Sequence, residues 1–183
     1  MASIIAEEGH RILSLADLSQ GFLGITPEYG ACLAQAGAIC FADQKHACGV
    51  TMAVNGALEA EFSVHWPTVT DQMARCWNDP RYTTEHAAYG VAILVFKDLL
   101  RITVIERSRI GSGFDFWCGY QKEDYPFQNR TRLEVSGIRN GTKSEIMSRV
   151  KQRLKRKWLP RKELPSYVAV VEFGRPVCQA VKK

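Results

Sequence analysis

The stretch RTRLEVSGIRNGTKSE, Arg130 to Glu145, changes its period partway along. Arg130 to Ile138 (RTRLEVSGI) carries β-branched residues in strand fashion, while Thr142-Lys-Ser-Glu145 has the spacing of a capping box. That box opens a predicted helix with Ile146, Met147, Val150, Leu154 and Trp158 on one stripe, ended by Pro160. Tyr167 to Phe173 (YVAVVEF) then reads as a strand so apolar that it belongs at the centre of a sheet. Strand, helix, strand in that order requires a crossover and at least one parallel pair, so the chain is expected to be an α/β protein.

Upstream, Arg101 to Arg107 (RITVIER) and Gly113 to Gly119 read as two further strands, followed by a loop holding Pro126 and Asn129. They are preceded by a helix, about Thr84 to Leu99, apolar nearly all round and so expected to lie buried between layers. The last hundred residues thus run helix, three strands, helix, strand, with a tail from Pro176. The N-terminal part predicts a short helix at Glu7 to Asp17 and a longer one opened by Thr26-Pro27 and reaching about Asp43. Val50, Met52 and Val54, the Asn55-Gly56 turn, then Leu58, Ala60, Phe62 and Val64 form a hairpin pattern. A short helix at Thr68 to Trp77 follows. Without repeats or a linker, residues 1–183 are expected to form a single domain, with 1–80 elaborating a core at 81–175.

The composition, 183 residues with 46% hydrophobic and 23% charged, suits one globular domain. No run of about 18 uncharged apolar residues occurs, which argues against a membrane span. Glu7 and Glu8 and the lack of a long apolar run argue against a signal peptide, so a cytoplasmic protein is expected. The 6 cysteines lack CxxC spacing, which favours reduced, buried thiols over zinc. His46, His65 and His86 have no HxH or HExxH spacing, nothing in spacing marks Cys48 or Cys118 as a nucleophile, and Gly111-Ser112-Gly113 precedes a strand rather than the helix of a phosphate loop.

The formal charge of +5 is concentrated. Lys143, Arg149, Lys151, Arg153, Lys155, Arg156, Lys157, Arg161 and Lys162 are opposed in that span only by Glu145. Such a patch can track a phosphate backbone, and Trp158 beside it could stack on a base; a solvated helix face has the same pattern.

Three acids stand out against this background. Asp115 lies in GSGFDFWCGY, Gly111 to Tyr120, between two aromatic rings, where an ionised carboxylate needs a cation, donors or a metal beside it. Glu134 is in the middle of the next strand, and Glu85 opens the apolar helix. If the two strands are antiparallel neighbours, Asp115 and Glu134 can share a face within reach of one divalent ion, with Mg²⁺ favoured. Purely structural roles are also open: Asp115 capping the Gly111–Gly113 turn, Glu134 paired with Arg107 or Arg132, Glu85 favouring a helix start.

Over Tyr82 to Phe173, this order of elements and acids resembles the PD-(D/E)XK nuclease superfamily. The resemblance implies metal-dependent hydrolysis of phosphodiester bonds, with Asp115, Glu134 and the Val135 carbonyl holding Mg²⁺ or Mn²⁺ and Glu85 assisting. It also implies a lysine at position 136, where this chain has Ser136. Serine brings no cation, so the charge would come from elsewhere, with Arg107, Arg132, Lys122 and Lys143 as candidates. The Lys143 to Lys162 region would grip nucleic acid, in a bacterial or phage-related defence or DNA-processing setting. Cutting both strands together would call for a homodimer. Two other readings stay open: an inactive accessory or binding subunit, for which Ser136 argues, and a small immunity or adaptor protein.

Overall fold

The computed structural model describes residues 11–120, 130–159 and 163–183. The expectations for residues 7–10, Lys122, Pro126, Asn129, Pro160, Arg161 and Lys162 lie outside the described residues.

The elements are β1 (Arg11–Ser14), a 3₁₀ helix (Leu15–Gln20), α1 (Pro27–Asp43), β2 (Val50–Gly56), β3 (Ala60–His65), α2 (Asp71–Cys76), α3 (Pro80–Leu100), β4 (Ile102–Arg107), β5 (Phe116–Tyr120), β6 (Thr131–Ile138), α4 (Lys143–Leu154), β7 (Ser166–Glu172) and β8 (Val177–Lys182). The eight strands among the described residues join one mixed sheet in the order β1-β3-β2-β8-β7-β6-β5-β4. The chain is an α/β protein. Strands β4, β5 and β6 are antiparallel neighbours, and β6 runs parallel to β7 with Glu134 opposite Val168. Helix α4, opened by the Thr142–Glu145 capping box with both of its reciprocal bonds present, makes the crossover between the two parallel strands.

Alternation along β7 shows why its sequence has no polar face. Val168 and Val170 pack with Phe114, Ile146, Val150 and Trp158 beneath α4, while Ala169 and Val171 join the larger cluster formed with α1 and α3. Helices cover both faces of the central strand, so every residue from Val168 to Glu172 is buried. Helix α3 is enclosed for the same reason, from Thr83 to Phe96 on nearly every side except at Glu85 and His86. Its N-terminal turns sit tightly over β6: a Cβ at Gly137 would lie 2.5 Å from the Thr84 carbonyl oxygen.

Several boundaries differ from expectation. Arg11–Ser14 is a strand parallel to β3, not part of a helix; the free edge of β3 supplies backbone partners and Leu13 turns into the core while Ile12 stays exposed. The C-terminal segment is no tail. Its Cys178 and Ala180 alternate into the core, and β8 pairs with β7 on one side and with β2 on the other. The N-terminal hairpin thus supplies two of the eight strands of the same sheet. Helix α2 starts after Thr70, which caps the Met73 N–H, and α3 starts at Pro80, with Asp79 capping the Tyr82 N–H. Glu85 consequently stands in the second turn of α3. Among the described residues, no helix is long and apolar enough to cross a membrane.

Candidate active site

Strand β5 begins at Phe116, opposite Leu133, and the Asp115 N–H continues the ladder by donating to the Leu133 carbonyl at 3.0 Å. Asp115 thus sits just ahead of the strand in which it was expected, half-buried, at the end of the sheet. Its Oδ2 accepts the Val135 N–H at 2.8 Å, and its Oδ1 lies 3.1 Å from the Tyr89 hydroxyl. The partner of Asp115 is therefore β6 and not the Gly111–Gly113 turn, which closes on itself through the Ser112 N–H and the Arg109 carbonyl.

The Tyr89 hydroxyl is also 2.7 Å from Glu85 Oε1. One phenolic proton between two carboxylates can serve only one at a time, so Tyr89 links Glu85 to Asp115. Burial, together with the charges of Asp115 and Glu85, raises its pKa far above the ordinary tyrosine value. Tyr89 was missed in the sequence, although it stands one helical turn after Glu85 and carries a polar tip in an apolar run.

Glu134 is 1% exposed. Its Oε1 accepts Arg153 Nη1 at 2.8 Å and Arg156 Nη1 at 2.9 Å. Burial first, then the charge of the adjacent Asp115 and a hydrogen bond with it, push the Glu134 carboxyl well above the usual carboxylate range, against the pull of Arg153 and Arg156. Arg107 and Arg132, the partners expected from sequence, are engaged elsewhere. Arg107 donates to the Tyr29 hydroxyl at 3.1 Å and lies over the Tyr89 ring; Arg132 Nε donates to Ser166 Oγ at 2.9 Å.

Ser136 shares the face of Glu134, and its Oγ accepts Arg149 Nη1 at 2.8 Å and Arg153 Nη2 at 3.2 Å. The cations at this position come from α4 and the residues just after it. Arg149, Arg153 and Arg156 recur at i, i+4 and i+7 and reach toward the sheet, the first two half-buried and Arg156 exposed but bonded to Glu134, whereas Lys143, Lys151, Lys155 and Lys157 are exposed and, among the described residues, make no such bond to the sheet. The run read as one basic patch thus divides into an inward arginine stripe and outward lysines. Lys143 stands exposed at the first position of α4. Trp158 is 5% exposed, packed on Phe114 and covered by Lys183, so it offers no face for stacking on a base.

Asp115 and Glu134 line an open cleft of about 390 Å³ together with four cations, Arg107, Arg109, Arg156 and Lys157. Among the described residues, no group of three or more His, Cys, Asp or Glu side chains gathers as a metal cage. The donors at hand are two carboxylates and the Val135 carbonyl, which faces the same flank of β6 as the N–H that Asp115 accepts. This sparse, oxygen-only set suits Mg²⁺, which keeps waters and takes phosphate oxygens, and it does not suit zinc. Two carboxylates in contact also resist joint ionisation, a conflict that a divalent cation relieves.

Compared with family models, with curated proteins and with solved structures, this chain finds no match.

Proposed function

We propose that this protein is a metal-dependent nuclease of PD-(D/E)XK-like architecture, hydrolysing phosphodiester bonds of nucleic acid. The observation that carries the reading is that Asp115, bonded to the Val135 N–H beside Glu134, and Glu134 itself line one cleft with four cations. The order α3, β4, β5, β6, α4, β7 agrees with it.

Arg107, Arg109, Arg156 and Lys157 draw the diester into the cleft and offset its charge. Asp115, Glu134 and the Val135 carbonyl hold Mg²⁺ or Mn²⁺, which when bound lowers the pKa of its water and neutralises charge on the phosphate. Arg149 and Arg153 at Ser136 supply the positive charge of the absent lysine. Guanidinium groups stay protonated, so they act electrostatically and not as a general base. Tyr89 keeps its proton and orients Asp115, with Glu85 as the alternative acceptor. On this reading the protein works in the cytoplasm, in defence or DNA processing, and pairs with a second copy where both strands are cut.

A second reading, an inactive nucleic-acid-binding subunit of the same architecture, is favoured by one observation: Arg153 and Arg156 already neutralise Glu134. Cleavage of DNA and RNA oligonucleotides with Mg²⁺ or Mn²⁺ separates the two. The nuclease reading expects metal-dependent cutting that falls about a hundredfold or more in Asp115→Asn and Glu134→Gln. Salt-sensitive binding without cutting under either metal would support the subunit instead.

A further inference from the structure

A second cleft, of about 580 Å³, adjoins the first, and Arg107 lines both. Its walls are aromatic: Tyr29, Tyr82, His86 and Phe116, with Glu85 as its acid. Tyr82 is 56% exposed, yet its ring is held from behind, stacked on Trp77 at 5.8 Å and set against His86 at 4.1 Å between ring centroids. Arg107 fixes the Tyr29 hydroxyl at 3.1 Å. An exposed ring kept rigid by its neighbours is a stacking platform whose ordering cost is already met by the fold. The size lies within the range of small-molecule sites, roughly 300–1,000 Å³.

Resting on the nuclease reading, we propose that this cleft receives one unpaired nucleobase of the strand whose phosphate enters the acid cleft. Tyr82 stacks on the base, and Glu85 accepts a hydrogen bond from its exocyclic amino or ring N–H group. Arg107 sits between base and phosphate, where a nucleotide presents its own negative charge. The connection through Tyr89 runs from Glu85 in this cleft to Asp115 in the other. Bases within an intact duplex cannot reach such a pocket without leaving the stack, so the favoured substrate is single-stranded or splayed nucleic acid.

The test is equilibrium binding in EDTA, where no metal-dependent cutting occurs, at one fixed salt concentration. Labelled single-stranded DNA and RNA oligonucleotides, a closed blunt duplex and a nucleoside monophosphate are compared. Wild type is expected to prefer the single strands to the duplex at least tenfold, and 2-aminopurine in the strand to be quenched on binding. Tyr82→Ala, at an exposed position of the first turn of α3, should weaken single-strand binding about tenfold and abolish the quenching. Duplex binding should stay unchanged, and Tyr82→Phe should restore the single-strand affinity. Equal affinity for strand and duplex would overturn the base pocket, as would a folded Tyr82→Ala that binds like wild type, while leaving the nuclease reading intact. Binding of the nucleoside monophosphate alone would overturn the strand as ligand. Failure of wild type to bind any nucleic acid would overturn both.

Discussion

Two buried glutamates, Glu172 and Glu134, differ in the donors they meet. Glu172, 0% exposed, accepts the N–H groups of Gly141 and Gly174 on Oε1 at 3.1 and 2.7 Å and the Arg175 N–H on Oε2 at 2.9 Å. Its oxygens are met by fixed backbone donors, so nothing about it calls for a ligand. Glu134 has only side-chain partners, one of them another acid, and it faces a cleft. Replacing Glu172 with Gln turns an amide NH₂ toward at least one N–H donor. Urea unfolding should show a loss of about 1–3 kcal/mol, with cleavage by the folded fraction unchanged. Asp115 and Glu134 were legible in the sequence because acids in apolar runs demand an explanation. Glu172 was not, since its donors come from two separate loops. Arg153 and Arg156 were read as surface charge because their pairing with Glu134 crosses from the helix layer to the sheet.

At the scale of elements, the relation between α3 and β6 sets the site. Helix α3 carries Glu85 and Tyr89, β6 carries Glu134 and Ser136, and they meet where Gly137 lacks a side chain. Gly137→Ala would place a methyl 2.5 Å from the Thr84 carbonyl and 2.8 Å from Thr84 Cγ2, and backbone must give way. The expected cost is about 1–3 kcal/mol in chemical unfolding, together with lowered cleavage by the folded fraction as Tyr89 moves off Asp115. The order from α3 to β7 could be read because each element has a strong local pattern: an all-apolar helix, alternating strands and a capping box. Strand β8 could not, being short, preceded by Pro176, and fixed by a parallel partner, β2, far upstream. Arg11–Ser14 was misread for a related reason, since a short edge strand takes its conformation from the neighbour it pairs with.

At the scale of the molecule, the electrostatics have two parts. Arg156 and Lys157 line the acid cleft, with Arg149 and Arg153 bonded to Ser136 behind it, while Lys143, Lys151 and Lys155 form the outer field that a phosphate backbone would meet. Changing these three lysines to Gln should reduce the slope of log affinity against log salt by up to about 2 for single-stranded nucleic acid, with the fold retained. The sequence showed the total charge of this region but not its division, which depends on which side of α4 packs on β7. The central claim is that Asp115 and Glu134 hold one divalent cation, and titration calorimetry of the purified chain with Mn²⁺ tests it most directly. One oxygen-ligand site is expected in wild type, and its loss in Asp115→Asn and Glu134→Gln, both shown to be folded by circular dichroism. An absence of Mn²⁺ binding by wild type, or binding that survives both substitutions, would contradict the account and leave the acid pair to its arginines.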